Sequence, residues 1–415
     1  MIACVFFSYG WPVHLVAFLS FVPLATYLSF GAWNCFVGCV SLISFATWVY
    51  LLGFRGMFWS SRPVLEKGAP QGTAKVTAIV PARNEAESIG RSLESLLRQD
   101  YGGALAIMLV DDNSTDGTGE IAAALEAGER LRILRGAAMP EGWSGKLWAV
   151  HQGLAQETAK AADYVLLTDA DIEHAPDHVA ALVAKAEGDG LDLVSEMVRL
   201  HCATAAERAL IPAFVFFFQM LYPFAWVADP RRRAAGAAGG SMLVSRAAMD
   251  RVEGVTRIRG ELIDDCALAR EIKRTGGRIW LGHAERAAST RVYARWRDVW
   301  EMIARTAYVQ LGNSPVLLLG CVAGMSAIFC APPLLALLTG GLPRLLGLGS
   351  WLMMALAFQP TLRRYRRWPL WGVALPGIAL FYVGATVASA VRHYAGRGGG
   401  WKGRVYVKGR DVGSK

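Results

Sequence analysis

Two aspartates, Asp169 and Asp171, close the strand-like stretch YVLLTDAD. Carboxylates one residue apart at the end of an apolar strand supply the oxygen ligands that a hard divalent cation prefers, and Mg²⁺ usually combines one or two such groups with substrate phosphates. Strands of a parallel sheet deliver these side chains to a ligand crevice at their carboxyl ends. An isolated Asp-x-Asp is more often a solvated turn, so its meaning depends on the neighbouring strands.

Polar clusters also follow two other predicted strands. The strand predicted over 76–81 runs into the segment PARNEAES, and the strand predicted over 104–110 runs into DDNSTDGT. Because the carboxyl ends of parallel strands meet at one edge of a sheet, these clusters should lie beside Asp169 and Asp171. Three polar strand ends on one edge indicate a binding site rather than three separate turns.

Strand and helix patterns alternate through the middle of the chain. Further strands are predicted over 131–134, 164–169 and 191–198, with helices over 85–98, from 147 through the 150s and over 177–187. This alternation predicts an α/β fold with a mainly parallel sheet and helices on both faces. No G-x-G-x-x-G follows the first strand and no G-x-x-x-x-G-K-[ST] is present, which disfavours a dinucleotide fold and a P-loop NTPase.

The composition points to a membrane protein. The 415 residues are 53% hydrophobic and 19% charged, and the apolar residues collect at both ends, in runs long enough to cross a bilayer. Much of the net charge of +9 flanks these ends, which favours membrane surfaces. The soluble part has no basic stripe with interleaved aromatics, so no nucleic-acid partner is expected. Seven cysteines without a CxxC indicate neither a disulfide framework nor a zinc site and suit a reducing cytosol.

We predict four regions along the chain. They are N-terminal membrane segments over 1–60, with 34–53 the surer span and 11–30 a possible second; a cytosolic catalytic domain over 70–310; C-terminal membrane segments over 314–392; and a basic tail over 393–415.

The C-terminal membrane region contains apolar stretches over 315–340, 345–359 and 369–391. The basic loop before the last stretch and the basic tail both favour the cytoplasmic side, so we expect one of the three to be interfacial or re-entrant.

The segments IVPARNEAESIGRSLESLLRQDY, VDDNSTDGT and TDAD resemble the first half of an inverting family 2 glycosyltransferase with a GT-A fold. The resemblance implies that a nucleotide-sugar donor, by family preference a UDP-sugar, binds at this sheet edge. It implies nucleoside contacts from the side chains after the first two strands: Ala82, Arg83, Glu85 and Asp112, with Asp111 beside it.

The same resemblance implies a place for the donor diphosphate. Asp169 and Asp171 would hold Mg²⁺ or Mn²⁺ and the diphosphate, and Lys146 of the pair Gly145-Lys146 would lie near the phosphates. The alternative for Lys146 is an exposed charge at a helix start.

A later acidic element, ELIDDCAL, opens an amphipathic helix that we expect to end at Arg274. Acids in a first helical turn stabilise the helix dipole, so capping is one interpretation. The functional interpretation makes Asp265, with Asp264 beside it, the catalytic base; the family usually has Glu-Asp here. Upstream, Gly239 and Gly240 allow backbone to approach a sugar or acceptor.

The Gln-x-x-Arg-Trp motif of processive relatives is absent from the segment YARWRDVWEMIARTAYVQL, which speaks against polymer synthesis. Arg305 in this segment is a candidate contact for the diphosphate, and packing of its helix on the membrane face is the alternative.

A narrower resemblance is carried by ALIPAFVFFFQMLYPFAWVADPRRRAAGAAGGSMLVSR, IRGELIDDCALAREIK and WKGRVY, which are similar to hopene-associated glycosyltransferases of bacterial hopanoid gene sets. Residues before 35 look like an unusual extension. The apolar run 211–226 is interpreted as an interfacial helix under the active site, where a lipid acceptor could enter, with a buried core helix as the alternative.

The resemblance implies a multi-pass enzyme of the bacterial inner membrane with a cytosolic catalytic domain. It would transfer a sugar to a lipid acceptor in hopanoid biosynthesis, alongside other enzymes of that pathway. Transfer to a polyprenyl phosphate or another glycolipid acceptor, a non-catalytic membrane scaffold and a nucleotidyltransferase are the alternatives.

Overall fold

The computed structural model describes residues 30–66, 72–398, 400–401, 404–407 and 410–412. The possible membrane span over 11–30 therefore lies almost wholly outside the described residues. The six described cysteines are all free.

The main sheet has eight strands in the order β3-β2-β1-β4-β7-β6-β8-β5. These are β1 (Val76–Ala82), β2 (Leu105–Asp111), β3 (Leu131–Arg135), β4 (Tyr164–Leu167), β5 (Ile172–His174), β6 (Leu193–Arg199), β7 (Met242–Ser245) and β8 (Ile279–Ser289). Strands β3, β2, β1 and β4 run parallel, whereas β7 runs antiparallel to both of its neighbours. A second sheet consists of the antiparallel strands β9 (Gly400–Trp401), β10 (Arg404–Val407) and β11 (Arg410–Val412).

The helices follow the predicted alternation and extend into the apolar segments. They are α1 (Phe30–Phe54), α2 (Ile89–Leu97), α3 (Thr118–Ala123), α4 (Gly145–Leu154), α5 (Glu157–Lys160), α6 (His178–Asp189), α7 (Ala205–Leu221), α8 (Phe224–Ala228), α9 (Arg246–Arg251), α10 (Asp264–Arg274), α11 (Trp296–Gln310), α12 (Pro315–Met325), α13 (Ala331–Leu338), α14 (Gly341–Arg364) and α15 (Leu375–Tyr394).

The chain divides into two compact units. The sheet unit comprises Arg62–His201, Phe224–Val292 and the residues from Gly396. The helical unit comprises the residues up to Ser61, Cys202–Pro223 and Tyr293–Ala395. Two stretches inside the predicted catalytic region, 202–223 and 293–310, thus belong to the helical unit.

Helices cover both faces of the main sheet. Side chains alternate across a strand, so consecutive residues of β1 contact helices on opposite faces. Val80 of β1 is buried in one cluster with Leu93 of α2 and Leu182 of α6. Ile79 points to the other face, where a side chain at Gly153 of α4 would come within 2.7 Å of it. The predicted two-sided α/β sheet is therefore confirmed.

The helical unit has an aromatic core and apolar outer faces. Trp48 of α1 packs edge-on against Phe329 with ring centroids 5.4 Å apart, and its indole N–H donates to the carbonyl of Ile328 at 2.7 Å. Large side chains such as Leu319 and Leu337 are about 70% exposed (71% and 70%). Such contiguous exposed apolar surface is typical of segments that contact lipid or another apolar partner.

Five helical segments in the described chain are long and apolar enough to cross a membrane. They are Trp33–Phe54, Ala205–Ala228, Pro315–Leu338, Gly341–Arg364 and Pro369–Tyr394. The middle C-terminal stretch is a full 24-residue helix, longer than the pattern 345–359 indicated. The segment Ala205–Ala228 is 83% buried, so α7 packs as an inner helix of its unit.

Proline perturbs the first C-terminal segment. A π-helical turn, Ser326–Cys330, joins α12 to α13 just before Pro332 and Pro333. Proline lacks the N–H for the regular helical bond and its ring clashes with the preceding turn, and a π-turn relieves this locally. The segment remains helical throughout.

Candidate active site

The polar segments after β1 and β2 meet at the carboxyl edge of the sheet. The carbonyl of Ala82 accepts from the Asp112 N–H at 2.8 Å. Arg83 donates to the Asp112 carbonyl at 2.6 Å, and its guanidinium lies 3.6 Å from the Asp112 carboxylate, which is fully buried. The Asp111 carboxylate accepts from the N–H of Ser114 at 2.9 Å and shapes the turn after β2. Parallel pairing of β1 with β2 thus brings together residues 29 positions apart.

Arg291 links the first polar segment to the Asp-x-Asp loop. This residue, just after β8, places Nε 2.8 Å from Asp171 and Nη2 2.8 Å from Glu85. Asp171 also accepts from the Ser289 hydroxyl at 3.2 Å. Sequence reasoning missed Arg291, because it lies outside any recognised motif and reaches the site only through pairing of β8.

Lys146 lies among carboxylates from two other elements. In the first turn of α4, its ammonium is 2.8 Å from Asp169 and 3.1 Å from Asp264. Burial acts to lower the pKa of Lys146, but the neighbouring carboxylates outweigh it and the pKa is raised. Lys146 therefore carries a positive charge that is paired with two carboxylates. It is not an exposed charge at the start of a helix, which was the alternative interpretation.

Asp265 is held at the start of α10 by backbone N–H groups. Its Oδ2 accepts from Gly239 at 2.9 Å and its Oδ1 accepts from Cys266 at 2.6 Å. Burial and the neighbouring Asp264 charge raise the pKa of Asp265 to about 6, against the opposing effect of Lys146. A carboxylate with such a pKa can both accept and release a proton near neutral pH.

Burial also raises the pKa of Asp169, and the charges of Asp171 and Asp264 add to that effect while Lys146 opposes it. One pocket of the sheet unit is lined by Lys146, Asp169, Gly239, Asp264 and Asp265. These groups come from four separate stretches of the chain, so the fold assembles an acidic pocket with one central cation.

Gly239 and Gly240 each lie where a side chain would meet a neighbour, and the neighbours differ. A side chain at Gly239 would lie 3.3 Å from the Lys146 ammonium and 3.5 Å from Asp265, so a glycine keeps the pocket open. A Cβ at Gly240 would lie 2.9 Å from both methyl groups of Val198.

Replacement of Gly240 by alanine is expected to lower stability by about 1–3 kcal/mol, since overpacking forces neighbours to move. The melting temperature of the detergent-solubilised protein measures this. Gly188→Ala is the control: nothing lies within 4 Å of its Cβ position, and alanine in a helix is neutral or slightly stabilising. Equal melting temperatures for the two variants would contradict the steric argument.

The predicted Arg305 belongs to the helical unit, and two histidines that follow the Asp-x-Asp pair contact each other. Arg305 is exposed on α11 in the helical unit. His174 and His178 are buried and bond to each other. Within the described residues, no group of three or more His, Cys, Asp or Glu side chains is arranged to hold a metal. Carboxylate oxygens are the ligands that Mg²⁺ and Mn²⁺ prefer, usually together with phosphate oxygens and water, so Asp169 and Asp171 are the candidate ligands for such an ion.

Residues 77–251 match the family model described as glycosyl transferase family 2. This stretch includes the segments after β1, β2 and β4 and the Gly239-Gly240 pair, and it ends before Asp264. The matched stretch, most of which lies in the sheet unit, is thus similar to a glycosyltransferase family 2 domain, the class of enzyme domain that the sequence predicts.

Two individual proteins show what the chain is similar to. An Escherichia coli (strain K12) protein named uncharacterized glycosyltransferase YaiP is 31% identical over 133 residues, which are 32% of this chain and 31% of that protein. The chain thus matches about a third of the length of that curated relative. The mannosyltransferase PcManGT from Pyrobaculum calidifontis, solved with GDP-Man and Mn²⁺, has a TM-score of 0.53 at 21% identity and covers 86% of this chain and 98% of its own. The likeness establishes a GT-A-like fold.

Proposed function

We propose that the protein is a membrane-bound inverting glycosyltransferase that transfers a sugar from a nucleoside diphosphate sugar to a lipid acceptor. The observation that carries this proposal is the pocket in which Lys146, Asp169, Asp264 and Asp265 converge within and next to the family 2 domain. The GDP-Man and Mn²⁺ bound by the mannosyltransferase of the same fold support a nucleotide-sugar donor here. A UDP-sugar is our first choice of donor.

Direct displacement at the anomeric carbon requires a base for the acceptor hydroxyl. Asp265 would take this proton, and the two N–H groups that it accepts from orient its carboxylate. A positioned general base typically contributes about 10²–10⁴-fold to the rate. Because one displacement occurs without a covalent enzyme intermediate, the anomeric configuration inverts.

The departing diphosphate needs positive charge. Lys146 and Arg291 supply cations beside Asp169 and Asp171. A divalent ion held by these two aspartates would offset further negative charge on the leaving group. Arg83 and Asp112, joined after β1 and β2, would border the nucleoside end of the donor.

Asp169→Asn is expected to abolish Mn²⁺-dependent stabilisation by UDP, because one of the two carboxylate ligands becomes a neutral amide. In the unaltered protein this stabilisation amounts to about 2.7 kcal/mol when free ligand is at 100 times its Kd. Thermal shift with UDP, with and without Mn²⁺, measures the loss. Asp189→Asn on α6 removes a carboxylate that pairs with Lys185 and should keep the full shift; an unchanged shift in Asp169→Asn contradicts the metal assignment.

The lipid acceptor rests on the five candidate spans and on the exposed apolar side chains of the helical unit. The proposal includes a bacterial inner-membrane location with a cytosolic catalytic domain. It also includes a place in hopanoid biosynthesis beside other enzymes of that pathway. Transfer to a polyprenyl phosphate or another glycolipid acceptor would use the same donor pocket and differ only in the acceptor.

Donor screening and lipid analysis test the proposal together. Purified protein is screened by thermal shift against nucleoside diphosphate sugars with and without Mn²⁺, and membranes are then assayed with hopanoid, diacylglycerol and polyprenyl phosphate acceptors. Metal-dependent donor binding with sugar transfer to one lipid is the expected result. Absence of all nucleotide binding would favour a non-catalytic membrane scaffold instead.

A further inference from the structure

A chain of buried polar side chains runs beneath the proposed donor pocket. Thr168, His174, His178 and Glu196 are each at most 4% exposed. The Thr168 hydroxyl lies 3.1 Å from Nε2 of His174, the two histidines join through their Nδ1 atoms at 2.8 Å, and Nε2 of His178 lies 2.6 Å from Glu196. Buried polar groups of this kind are costly unless each is satisfied, and the proposed chemistry uses none of the last three.

The direction of the hydrogen bonds locates the protons. The Thr168 hydroxyl donates to the carbonyl of Gly240 at 2.8 Å, so it must accept from His174. Nε2 of His174 therefore carries a hydrogen, and a neutral His174 accepts at Nδ1.

His178 must then donate through Nδ1 to His174, and it donates through Nε2 as well when Glu196 is an ionised carboxylate. A ring with two N–H groups is an imidazolium. Burial, together with the His178 charge, lowers the pKa of His174 well below its usual range, which agrees with a neutral ring there.

Glu196 supplies the compensating charge. The Oε1 atom of Glu196 has no hydrogen-bond partner in the described part of the chain. The side chain of Glu196 therefore forms its hydrogen bond to His178 through Oε2. A buried charge needs such a partner, because an uncompensated charge in the protein interior is strongly destabilising. The N–H of Glu196 also donates to the carbonyl of Ser241 at 3.0 Å, which ties β6 to the segment that carries Gly240.

The end of this hydrogen-bond chain at Thr168 and Gly240 lies next to two parts of the pocket. Thr168 immediately precedes Asp169, and Gly240 follows Gly239, whose N–H donates to Asp265. A fixed Thr168–Gly240 bond thus sets the Asp-x-Asp loop and the glycine pair relative to each other.

We infer that Glu196, His178 and His174 are positioning residues: a buried imidazolium–carboxylate pair, His178 with Glu196, orders a one-directional hydrogen-bond chain that holds Thr168 and Gly240 in place for donor binding. The inference rests on the proposed function for its donor, whereas the proton placement is independent of it. Outer groups that orient metal ligands typically affect affinity by about 10–100-fold.

The proton placement is tested by ¹⁵N NMR on full-length protein labelled at histidine, in detergent at neutral pH, with His174→Asn and His178→Asn samples to assign the signals. We expect two protonated ring nitrogens for His178 and a single one for His174. A neutral His178 overturns the inference, whether or not the protein proves to be a glycosyltransferase.

The positioning role is tested with Thr168→Val, titrated with UDP and Mn²⁺ and followed by the electron paramagnetic resonance of free Mn²⁺. We expect binding to weaken by about 10–100-fold and Thr168→Ser to restore it. Thr77→Val is the matched control, because Thr77 is equally buried in β1 and its hydroxyl donates only to the carbonyl of Thr158.

Unchanged binding in Thr168→Val, or equal weakening in Thr77→Val, overturns the positioning role. If the unaltered protein binds neither UDP nor Mn²⁺, the proposed function fails. The histidine spectra alone then decide whether the inferred proton placement in the hydrogen-bond chain is correct.

Discussion

Asp265→Asn is expected to reduce sugar transfer by about 10²–10⁴-fold, the usual contribution of a general base, while leaving donor binding intact. Asparagine has nearly the same shape, and its single amide oxygen can still accept from one of the two N–H groups, Gly239 or Cys266, that bond to Asp265 in the structure. It has no basic carboxylate to remove the acceptor proton. Single-turnover transfer assays and UDP titration, run in parallel, separate the two effects.

The pKa of Asp265 adds a pH dependence to this prediction. Burial and Asp264 raise this pKa to about 6, and only the deprotonated carboxylate acts as a base. We therefore expect kcat/KM to rise with pH, to be half-maximal near a pH of about 6 and to level off above it. The residual activity of Asp265→Asn should lack this rise.

Asp250→Asn is the control for loss of a carboxylate in the same unit, since Asp250 is exposed on α9 and pairs with Arg246. Its activity should stay close to that of the unaltered protein. Transfer at the unaltered rate in Asp265→Asn would remove Asp265 as the base and direct attention to its neighbour Asp264.

Lys146→Met is expected to produce the second large effect, a loss of both donor affinity and transfer rate. The substitution removes the cation that lies 2.8 Å from Asp169 and 3.1 Å from Asp264 and leaves several carboxylates facing one another. It also removes positive charge beside the proposed diphosphate. These ion pairs are half-buried, and removing one partner of a pair that is shielded from water leaves the remaining charge uncompensated.

The same variant should move the pH dependence in a defined direction. Lys146 lowers the pKa of Asp265 against the effect of burial. Without Lys146 the pKa of Asp265 should rise, so the half-maximal pH of any residual activity should move above about 6. A downward shift, or none, would show that Lys146 does not act on Asp265.

Lys185→Met is the matched control for Lys146→Met. Lys185 also lies 2.8 Å from an aspartate, Asp189, but the pair is an i,i+4 contact on α6 that does not line the pocket, and its aspartate is exposed. Such surface pairs contribute little, about 0–1 kcal/mol. Donor affinity and the pH dependence should both be unchanged in this variant.

The sequence predicted most of the parallel half of the sheet. Continuous apolar runs such as VTAIV and AIMLV identify buried strands, and the polar residues after them mark the carboxyl edge. Strand β7, only four residues long, was not predicted. Its antiparallel insertion between β4 and β6 depends on pairing with residues far away in the chain.

The membrane segments also combine features that the local sequence predicts with features that depend on packing. Length and apolar composition identified four of the five candidate spans of the described chain, since both are local properties. The fifth, Ala205–Ala228, was interpreted as an interfacial helix. The extent of α14 was underestimated because Arg344 and Arg363 lie within its ends, and the inner position of α7 depends on packing against Phe358 and Tyr382 of other helices.

The Asp-x-Asp pair, the polar strand ends and the acidic helix start were determined by the sequence itself, because strand ends and first helical turns place residues by local geometry. Only the tertiary structure decided which side chains meet them: Arg291 reaches Glu85 across 206 positions, and His178 reaches Glu196 beneath the pocket. Such partners are set by strand order and helix packing, which bring distant residues together without leaving a periodic pattern in either segment.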